Sequence, residues 1–475
     1  NIFFPLQAIK TELSSRAELI SYYPESTNSK YAEIAKSILN YRLNQGQQNV
    51  ESSVNETLSL LATAENITIK NPEGDTTSAG LDPVFPKKII ALVHFGRSGT
   101  GLLHSLIDGH PEVSTLTSIY FSEYFDHSTW DKIIFGGWSE MASRFMAIYE
   151  VMFNASSTVP VQGLNKNLIY NIGRDEGMTN VGDQRGEVLS VDKTLFCSEL
   201  NRLMNYYAEL DAFTFFTLVH AAYDKAINDL NHKSLMFYHI HNPDVYSRLN
   251  FVRSAPNANW VMMVREPVQS CESWLRNAFQ ENSYDKIVSK IFTMLFEIDN
   301  IVYRKQHSIG VRLEDLKEYP RKTIPALCKW MGIKETEDLY EMTAQGKKWW
   351  GDPVSPDYLV DGMDPFGNTS IKRKVGSIFS ENDRFIIRTL FYPFSAKFGY
   401  VDENSDQFTT DLNAIRPMLD QTFDFEDTIV ERTHADPEQF MKSGSYLYLR
   451  SGLIERWNVL NEFKTYPNMI KRLEL

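Results

Sequence analysis

A glycine-rich stretch near residue 97 combines the residue types that bind an anion. The apolar run Ile89–Phe95 predicts a buried parallel strand, and a helical pattern begins at Leu102. Between them the chain reads GRSGTG. Glycines permit a tight turn, and the free N–H groups of a first helical turn donate hydrogen bonds to an oxyanion. The residues expected to hold that anion are Arg97, Ser98, Gly99, Thr100 and Gly101.

This loop differs from the nucleotide P-loop, which needs four residues between its first glycine and Gly-Lys-Ser/Thr. Here two residues separate Gly96 from Gly99, and the stretch has no lysine. The spacing resembles the 5′-phosphosulfate loop of sulfotransferases that use 3′-phosphoadenosine 5′-phosphosulfate (PAPS). Many of those read R/K-S-G-T-T and carry a His-Pro pair after the helix, as His110-Pro111 does here. The resemblance implies sulfuryl transfer with PAPS as co-substrate and without a metal.

A second strand end carries another arginine. The apolar run Trp260–Val264 predicts a strand, Arg265 follows it, and Ser273 lies in the helical pattern after that. Open α/β sheets bind ligands at the carboxyl ends of their strands. The same pair occurs in a second sulfotransferase signature, so the resemblance implies that Arg265 and Ser273 bind the 3′-phosphate of PAPS.

The resemblance spans about residues 88–400. It implies a structural role for Val311–Leu316. In Lys372–Ser377 it implies a late loop that closes over the 3′-phosphate, with Arg373 and Lys374 as its contacts. The loop arginine, Arg97, would stabilise charge on the transferred group, as in the tyrosylprotein type of the family.

A histidine of near-neutral pKa is the default base for activating an acceptor hydroxyl. His241, followed by Asn-Pro after a predicted strand, matches the position of the histidine in the cytosolic enzymes and is the predicted base. His239 lies two residues earlier, so it faces the same side and could assist. Two alternatives stay open: Glu123 as the base, and Lys193 in an Asp-Lys-Thr segment as a contact to the sulfonate.

Composition restricts the class of partner. The formal net charge of −13 argues against nucleic acid and disfavours a polyanionic acceptor, so a neutral or cationic small molecule is expected. No apolar run is long enough to cross a bilayer. Three scattered cysteines indicate neither a disulfide framework nor a zinc site. They favour three buried thiols in a reducing compartment, and therefore a cytoplasmic protein.

Strands alternate with helices from residue 88 to 400, which predicts an α/β fold with a parallel sheet. Residues 1–86 are expected to form a helical extension and linker, 87–400 the catalytic domain, and 401–475 a helical tail. An aromatic-rich insertion at about 115–232 is expected to shape the acceptor site, and its rings favour an apolar or ring-bearing acceptor. The terminal helices could pack on the core, form a homodimer interface or cover the acceptor site.

Two other functions fit parts of the pattern. An ATP-dependent kinase would need a P-loop lysine and an Asp that holds Mg²⁺ after a strand. A nucleotide-binding scaffold would keep both loops without needing a base. Sulfation of an amine or guanidine, in place of a hydroxyl, also remains open.

Overall fold

The computed structural model describes most of the chain from Ile67 onward. The described residues are 67–72, 85–117, 121, 124–125, 127–160, 169–240, 245–353, 355, 357–372 and 378–475. The predicted helices of residues 1–66 and most of the predicted linker lie outside them.

Five strands form a sheet in which every neighbouring pair is parallel. They are β1 (Lys88–His94), β2 (Val113–Thr115), β3 (Leu235–His239), β4 (Asn259–Val264) and β5 (Ser308–Arg312), in the order β2-β3-β1-β4-β5. The predicted α/β class is therefore confirmed. The sequence pattern missed β2, because three residues are too short to show a periodicity.

Helices cover both faces of the sheet. The longer ones are α1 (Thr100–Asp108), α2 (His127–Ile134), α3 (Met141–Ile148), α4 (Lys193–Met204), α5 (Ala212–Ala226), α6 (Val245–Ser254), α7 (Pro267–Gln280), α8 (Tyr284–Glu297), α9 (Leu313–Glu318), α10 (Pro320–Met331), α11 (Glu381–Leu390), α12 (Tyr392–Lys397), α13 (Ser405–Ile415), α14 (Asp424–Thr433), α15 (Pro437–Met441) and α16 (Gly444–Phe463). Within the part of the chain described above, no helix has the length and apolar character needed to cross a membrane.

The helices that follow β1 and β4 lie on opposite faces of the sheet. Leu102 and Leu106 of α1 share a core with Leu92, whereas Val268 and Leu275 of α7 belong to the core on the other face. Because β1 and β4 are neighbours and their connections leave in opposite directions, a crevice opens between their carboxyl ends. Such a switch point is where open α/β sheets bind ligands.

The inserted segment folds as a helical lobe that contains α2 to α5. Many of its aromatic side chains are buried: they include Phe121, Phe145, Phe196, Phe215 and Phe216. These rings belong to a core that the lobe shares with one face of the sheet. The apolar or ring-bearing acceptor stays a prediction.

The C-terminal segment packs against the domain that contains the parallel sheet. Arg456 of α16 is fully buried and pairs with Asp299 at 2.9 Å. Beyond α16 the chain runs beside the edge strand β5, where the Gly310 N–H donates to the carbonyl of Lys471 at 2.7 Å. This pairing covers the edge of the sheet that would otherwise expose unpaired backbone groups.

One buried hydrogen bond tests this attachment. The Tyr466 hydroxyl donates to the carbonyl of Leu390 at 2.7 Å. Tyr466 is buried, so water cannot take the place of its hydroxyl as the donor. Tyr466→Phe should lower the free energy of unfolding by about 1–2 kcal/mol, because it leaves a buried carbonyl without its donor. Urea denaturation measures the change, and Tyr319→Phe on the surface is the control. An unchanged midpoint for Tyr466→Phe would contradict the attachment.

Candidate active site

The glycine-rich loop joins β1 to α1 across the carboxyl end of the sheet. Gly96 has φ +62° and Gly99, the N-cap of α1, has φ +85°, and both values lie in the left-handed region that favours glycine. A Cβ at Gly96 would overlap the Ser270 hydroxyl, and one at Gly99 would lie 2.8 Å from Leu313. Both glycines are therefore required by the backbone conformation and by the close packing around it.

Hydrogen bonds hold the loop against β4 and α7. The Phe95 N–H donates to the Met263 carbonyl at 3.0 Å and to the Ser98 hydroxyl at 3.1 Å. The Ser270 hydroxyl donates to the Phe95 carbonyl at 2.7 Å. Groups of the protein itself therefore fix the shape of the loop.

The loop residues divide into buried and exposed groups. Ser98 and Thr100 are buried, whereas the side chain of Arg97 is exposed at the surface of the loop. The first N–H groups of a helix have no partner within that helix, and the first turn of α1 contains no carboxylate that would repel an anion. Arg97 and these N–H groups together offer positive charge to one oxyanion.

Arg265 directly follows β4, beside this loop. Only 5% of this residue is exposed to solvent, and one of the terminal nitrogens of its guanidinium donates to the carbonyl of Ser370. Its Nε is buried and makes no hydrogen bond with any described residue. Burial lowers the pKa of Arg265, while Glu314 and Glu266 oppose that shift. A buried guanidinium with an unused donor fits a site that binds an anionic ligand.

The carboxylates near Arg265 are occupied by bonds of their own. Glu266 caps α7, accepting from the Gln269 N–H at 2.7 Å. Glu314 accepts from the Tyr400 hydroxyl at 3.0 Å and faces Arg312. Glu314 belongs to the segment Val311–Leu316, for which a structural role is predicted. Its contacts are consistent with that role, because they hold one side of the crevice in place.

Ser273 lies nearly two turns into α7 and is partly exposed, so the predicted pairing with Arg265 remains a prediction. Ser270 of α7, which no sequence pattern marked, contacts the loop.

Lys290 of α8 was likewise unmarked, and its Nζ donates to the Trp274 carbonyl at 2.8 Å. Burial and then the charge of Arg97 lower the pKa of Lys290. No local pattern marks Lys290, since its neighbours are distant in sequence.

A segment after α10 reaches back over the crevice. The buried pair of Lys317 and Asp357, 2.6 Å apart, anchors it, and Asp357 also accepts from the Ser370 N–H at 2.8 Å. The Gln269 amide group then donates to the Ile371 carbonyl at 3.3 Å. The residues directly before the predicted late loop are thus held beside Arg265. Arg373 and Lys374 themselves lie outside the described residues.

The candidate bases are described only in part. His241 and Glu123 lie outside the described residues. His239, the last residue of β3, is buried opposite Leu92 in the sheet register, and its ring stacks on that of His104 at 5.6 Å. Lys193 is paired with Glu150 at 2.6 Å on the surface of the lobe. Among the described residues, no group of three or more His, Cys, Asp or Glu side chains could hold a metal ion.

Asp224 of α5 is a buried carboxyl on the lobe side of the site. Burial raises its pKa to about 7 from its ordinary value of 3.8, while Ser114 and Lys233 partly oppose the shift. The folded state therefore binds this proton more tightly than the unfolded state. The resulting stabilisation is present at low pH and is lost as pH rises from about 4 to 7.

Asp224→Asn should remove this dependence. The free energy of unfolding of the variant relative to the wild type should rise by about 4 kcal/mol between pH 4 and pH 8, since one pKa unit corresponds to about 1.4 kcal/mol. Urea denaturation at several pH values measures it, and Asp402→Asn on the surface is the control. Parallel pH profiles for Asp224→Asn and the wild type would contradict burial of an ionisable carboxyl there.

No family model and no curated protein matches the chain. A sulfotransferase domain from the olefin synthase of Synechococcus PCC 7002 is similar over 62% of this chain and 92% of that domain, with 15% identity and a TM-score of 0.33. The sulfotransferase domain from the curacin biosynthetic pathway is similar over 60% and 83%, with 16% identity and a TM-score of 0.27.

A sulfotransferase from Mycobacterium avium is similar over 61% of this chain and 73% of its own, with 10% identity and a TM-score of 0.28. These three solved structures belong to the class that the loop sequence resembles. At such low scores the likeness carries no argument about activity. The function proposed below therefore rests on the residues of this chain.

Proposed function

We propose that the chain is a sulfotransferase that transfers the sulfuryl group of PAPS to the hydroxyl of a small acceptor. The observation that carries the proposal is the position of Arg265. This buried guanidinium, with an unused Nε, lies directly beside a preformed glycine loop at the sheet's switch point. Two neighbouring anion sites suit a nucleotide that carries one phosphate at its 3′ end and a phosphosulfate at its 5′ end.

The residues divide between those two ends of PAPS. The backbone of Ser98, Gly99, Thr100 and Gly101 would hold the 5′-phosphosulfate, with Arg97 beside it. Arg265 and Ser273 would bind the 3′-phosphate, and Arg373 and Lys374 would close over it. Lys290 adds positive charge next to Arg97.

Positioning and electrostatics supply the catalysis. The acceptor oxygen forms a bond to sulfur while the bond between sulfur and the bridging oxygen of the 5′-phosphate breaks. Arg97 and the loop N–H groups stabilise the charge that develops on the sulfonate and the bridging oxygen, as preorganised donors do in phosphoryl transfer. His241, the proposed base, takes the proton of the acceptor.

The net charge of the protein restricts the class of acceptor. The net charge of −13 attracts a neutral or cationic molecule better than a polyanion, so we propose a small neutral or cationic acceptor with a hydroxyl, or less readily an amine. The three cysteines are unpaired, although Cys197 is partly exposed where a buried thiol was expected. Unpaired thiols suit a reducing compartment, and we propose a cytoplasmic location on that ground.

Titration calorimetry with 3′-phosphoadenosine 5′-phosphate (PAP), beside ATP with and without Mg²⁺, tests the proposal. PAP should bind with a micromolar dissociation constant, at least tenfold more tightly than ATP, and Mg²⁺ should not change its affinity. The reason is that Arg265 offers a site for a 3′-phosphate that ATP lacks. Tighter binding of ATP with Mg²⁺ would favour the kinase, and binding of neither nucleotide would refute the sulfotransferase.

A further inference from the structure

The hydrogen bond from Arg265 to the Ser370 carbonyl orients a buried cation without neutralising it. Buried charges in proteins are normally paired, and a carboxylate partner would compete with an anionic ligand for the guanidinium. The Ser370 carbonyl is neutral, so it fixes the plane of the guanidinium while Arg265 keeps its positive charge. The position of this carbonyl therefore decides how Arg265 meets a ligand.

Ser370 lies on a short helix, Thr369–Lys372, that cannot hold its own position. One turn of helix fixes several backbone dihedrals for very few hydrogen bonds, so it forms only where other parts of the protein stabilise it. Here the Asp357 carboxylate accepts from the Ser370 N–H at 2.8 Å, and the Gln269 amide group donates to the Ile371 carbonyl at 3.3 Å. These two bonds hold the chain on either side of the Ser370 carbonyl.

Asp357 brings a negative charge close to this site, and Lys317 of α9 compensates it. Their side chains are 2.6 Å apart, and neither residue is more than 4% exposed. The Lys317 ammonium also donates to the carbonyls of Gly367 at 2.7 Å and Pro365 at 3.4 Å, so its three hydrogens have three acceptors. Lys317 therefore has no donor left for a ligand, and its charge balances that of Asp357.

The bond from Ser370 to Asp357 is charge-assisted. Burial would raise the pKa of Asp357, but the bonds from Lys317 and Ser370 lower it below its ordinary value of 3.8, so the carboxyl is ionised at neutral pH. An ionised acceptor forms a stronger hydrogen bond than a neutral one. The Ser370 N–H is thus held firmly, although Asp357 and Lys317 together add no net charge beside Arg265.

We propose that Asp357, acting through Ser370, positions Arg265 to bind the 3′-phosphate of PAPS, and that Lys317 cancels the charge of Asp357. This inference rests on the proposed function. Asp357 fixes the short helix, and the Ser370 carbonyl fixes the guanidinium. The buried Nε of Arg265, which makes no hydrogen bond with any described residue, is then a donor for the phosphate. A side chain ordered in advance loses less entropy when the ligand binds.

Two double variants of equal charge isolate the bond to Ser370. Lys317→Met with Asp357→Asn removes both charges but keeps an amide oxygen that can accept from the Ser370 N–H. Lys317→Met with Asp357→Ala removes both charges and that acceptor as well. Neither variant leaves an unpaired buried charge, which is what makes the loss of one partner so destabilising. In titration calorimetry, the variant with Asp357→Asn should bind PAP at least tenfold more tightly than the variant with Asp357→Ala.

Adding Arg265→Ala to both double variants shows whether this effect passes through the guanidinium. Without Arg265, Ser370 has no guanidinium to orient. The two triple variants, titrated with millimolar PAP, should therefore differ in affinity by less than twofold. A tenfold difference that persists without Arg265 would overturn the positioning role, as would equal affinities of the two double variants.

Asp299 provides a matched control for a general loss of stability. One of its carboxylate oxygens pairs with Arg456 and the other accepts from the Asn468 N–H, each at 2.9 Å, which is the arrangement of Asp357 repeated in the packing of the C-terminal segment. Asp299→Ala should lower the midpoint of urea denaturation and leave the affinity for PAP within twofold, since Arg456 keeps its pairing with Glu455 at 3.0 Å. A tenfold loss of PAP affinity would show that affinity follows stability, and it would overturn the positioning role.

Nitrogen NMR of the wild-type protein labelled with ¹⁵N-arginine tests the same point should the double variants not fold. A guanidinium that Ser370 holds should rotate slowly about its bonds, so the two terminal nitrogens of Arg265 should give separate signals before PAP is added. Arg265→Lys assigns these signals by their loss. A single averaged signal from the terminal nitrogens would overturn the proposal.

Calorimetry on the wild type separates the two proposals. If the wild type binds PAP but the two double variants do not differ, the positioning role is refuted and the sulfotransferase proposal stands. If the wild type does not bind PAP, the proposed function fails, and the inference built on it fails as well.

Discussion

Replacing Arg265 with alanine should weaken the binding of PAP at least 100-fold. The guanidinium is buried beside the loop, so a phosphate bound there is removed from water and depends on that charge for its stabilisation. A 100-fold loss corresponds to about 2.7 kcal/mol, which is within the range for hydrogen bonds to charged groups. Titration calorimetry with PAP measures the loss.

Two further variants test whether the loss of PAP affinity depends on the guanidinium of Arg265. Arg265→Lys keeps the charge but loses the planar fork, so its affinity should fall between the wild type and alanine. Arg321→Ala removes a surface arginine that pairs with Glu337, and it should leave the affinity within twofold. If Arg265→Ala binds PAP with wild-type affinity, Arg265 does not form the 3′-phosphate site. That result would contradict the main support for PAPS as co-substrate.

Gly96→Ala should destabilise the protein by about 2–5 kcal/mol and abolish PAP binding. An alanine at φ +62° costs about 1–2 kcal/mol. Its Cβ would also overlap the Ser270 hydroxyl and lie 3.0 Å from the sulfur of Met294, so the loop must move. Urea denaturation measures the first effect, and calorimetry on the folded fraction measures the second.

The loop offers a matched control. A Cβ at Gly101 meets no atom within 4 Å, and alanine is favoured over glycine inside a helix, so Gly101→Ala should be neutral or stabilising by up to about 1 kcal/mol. Adding Ser270→Ala to Gly96→Ala removes the overlapping hydroxyl and should restore part of the stability. Equal effects of the two glycine substitutions would contradict the loop geometry.

The sequence by itself determined the class of fold and the two strand ends that carry the candidate site. Buried parallel strands read as continuous apolar runs, so β1 and β4 were visible locally. The loop glycines were visible as well, because a left-handed turn restricts which residue can occupy it. Arg97 and Arg265 followed from their positions directly after two of these strands.

Only the tertiary structure decided which side chains meet. The strand order brings β1 and β4 together although about 170 residues separate them, and it sends α1 and α7 to opposite faces. The contacts of Ser270 with the loop, Lys290 with Trp274, and Ser370 with Arg265 all depend on that arrangement. Local periodicity reports which face of an element is buried, but it contains no information about the partner across the interface. The burial of Arg265 and the stacking of His104 on His239 therefore had to come from the packed structure.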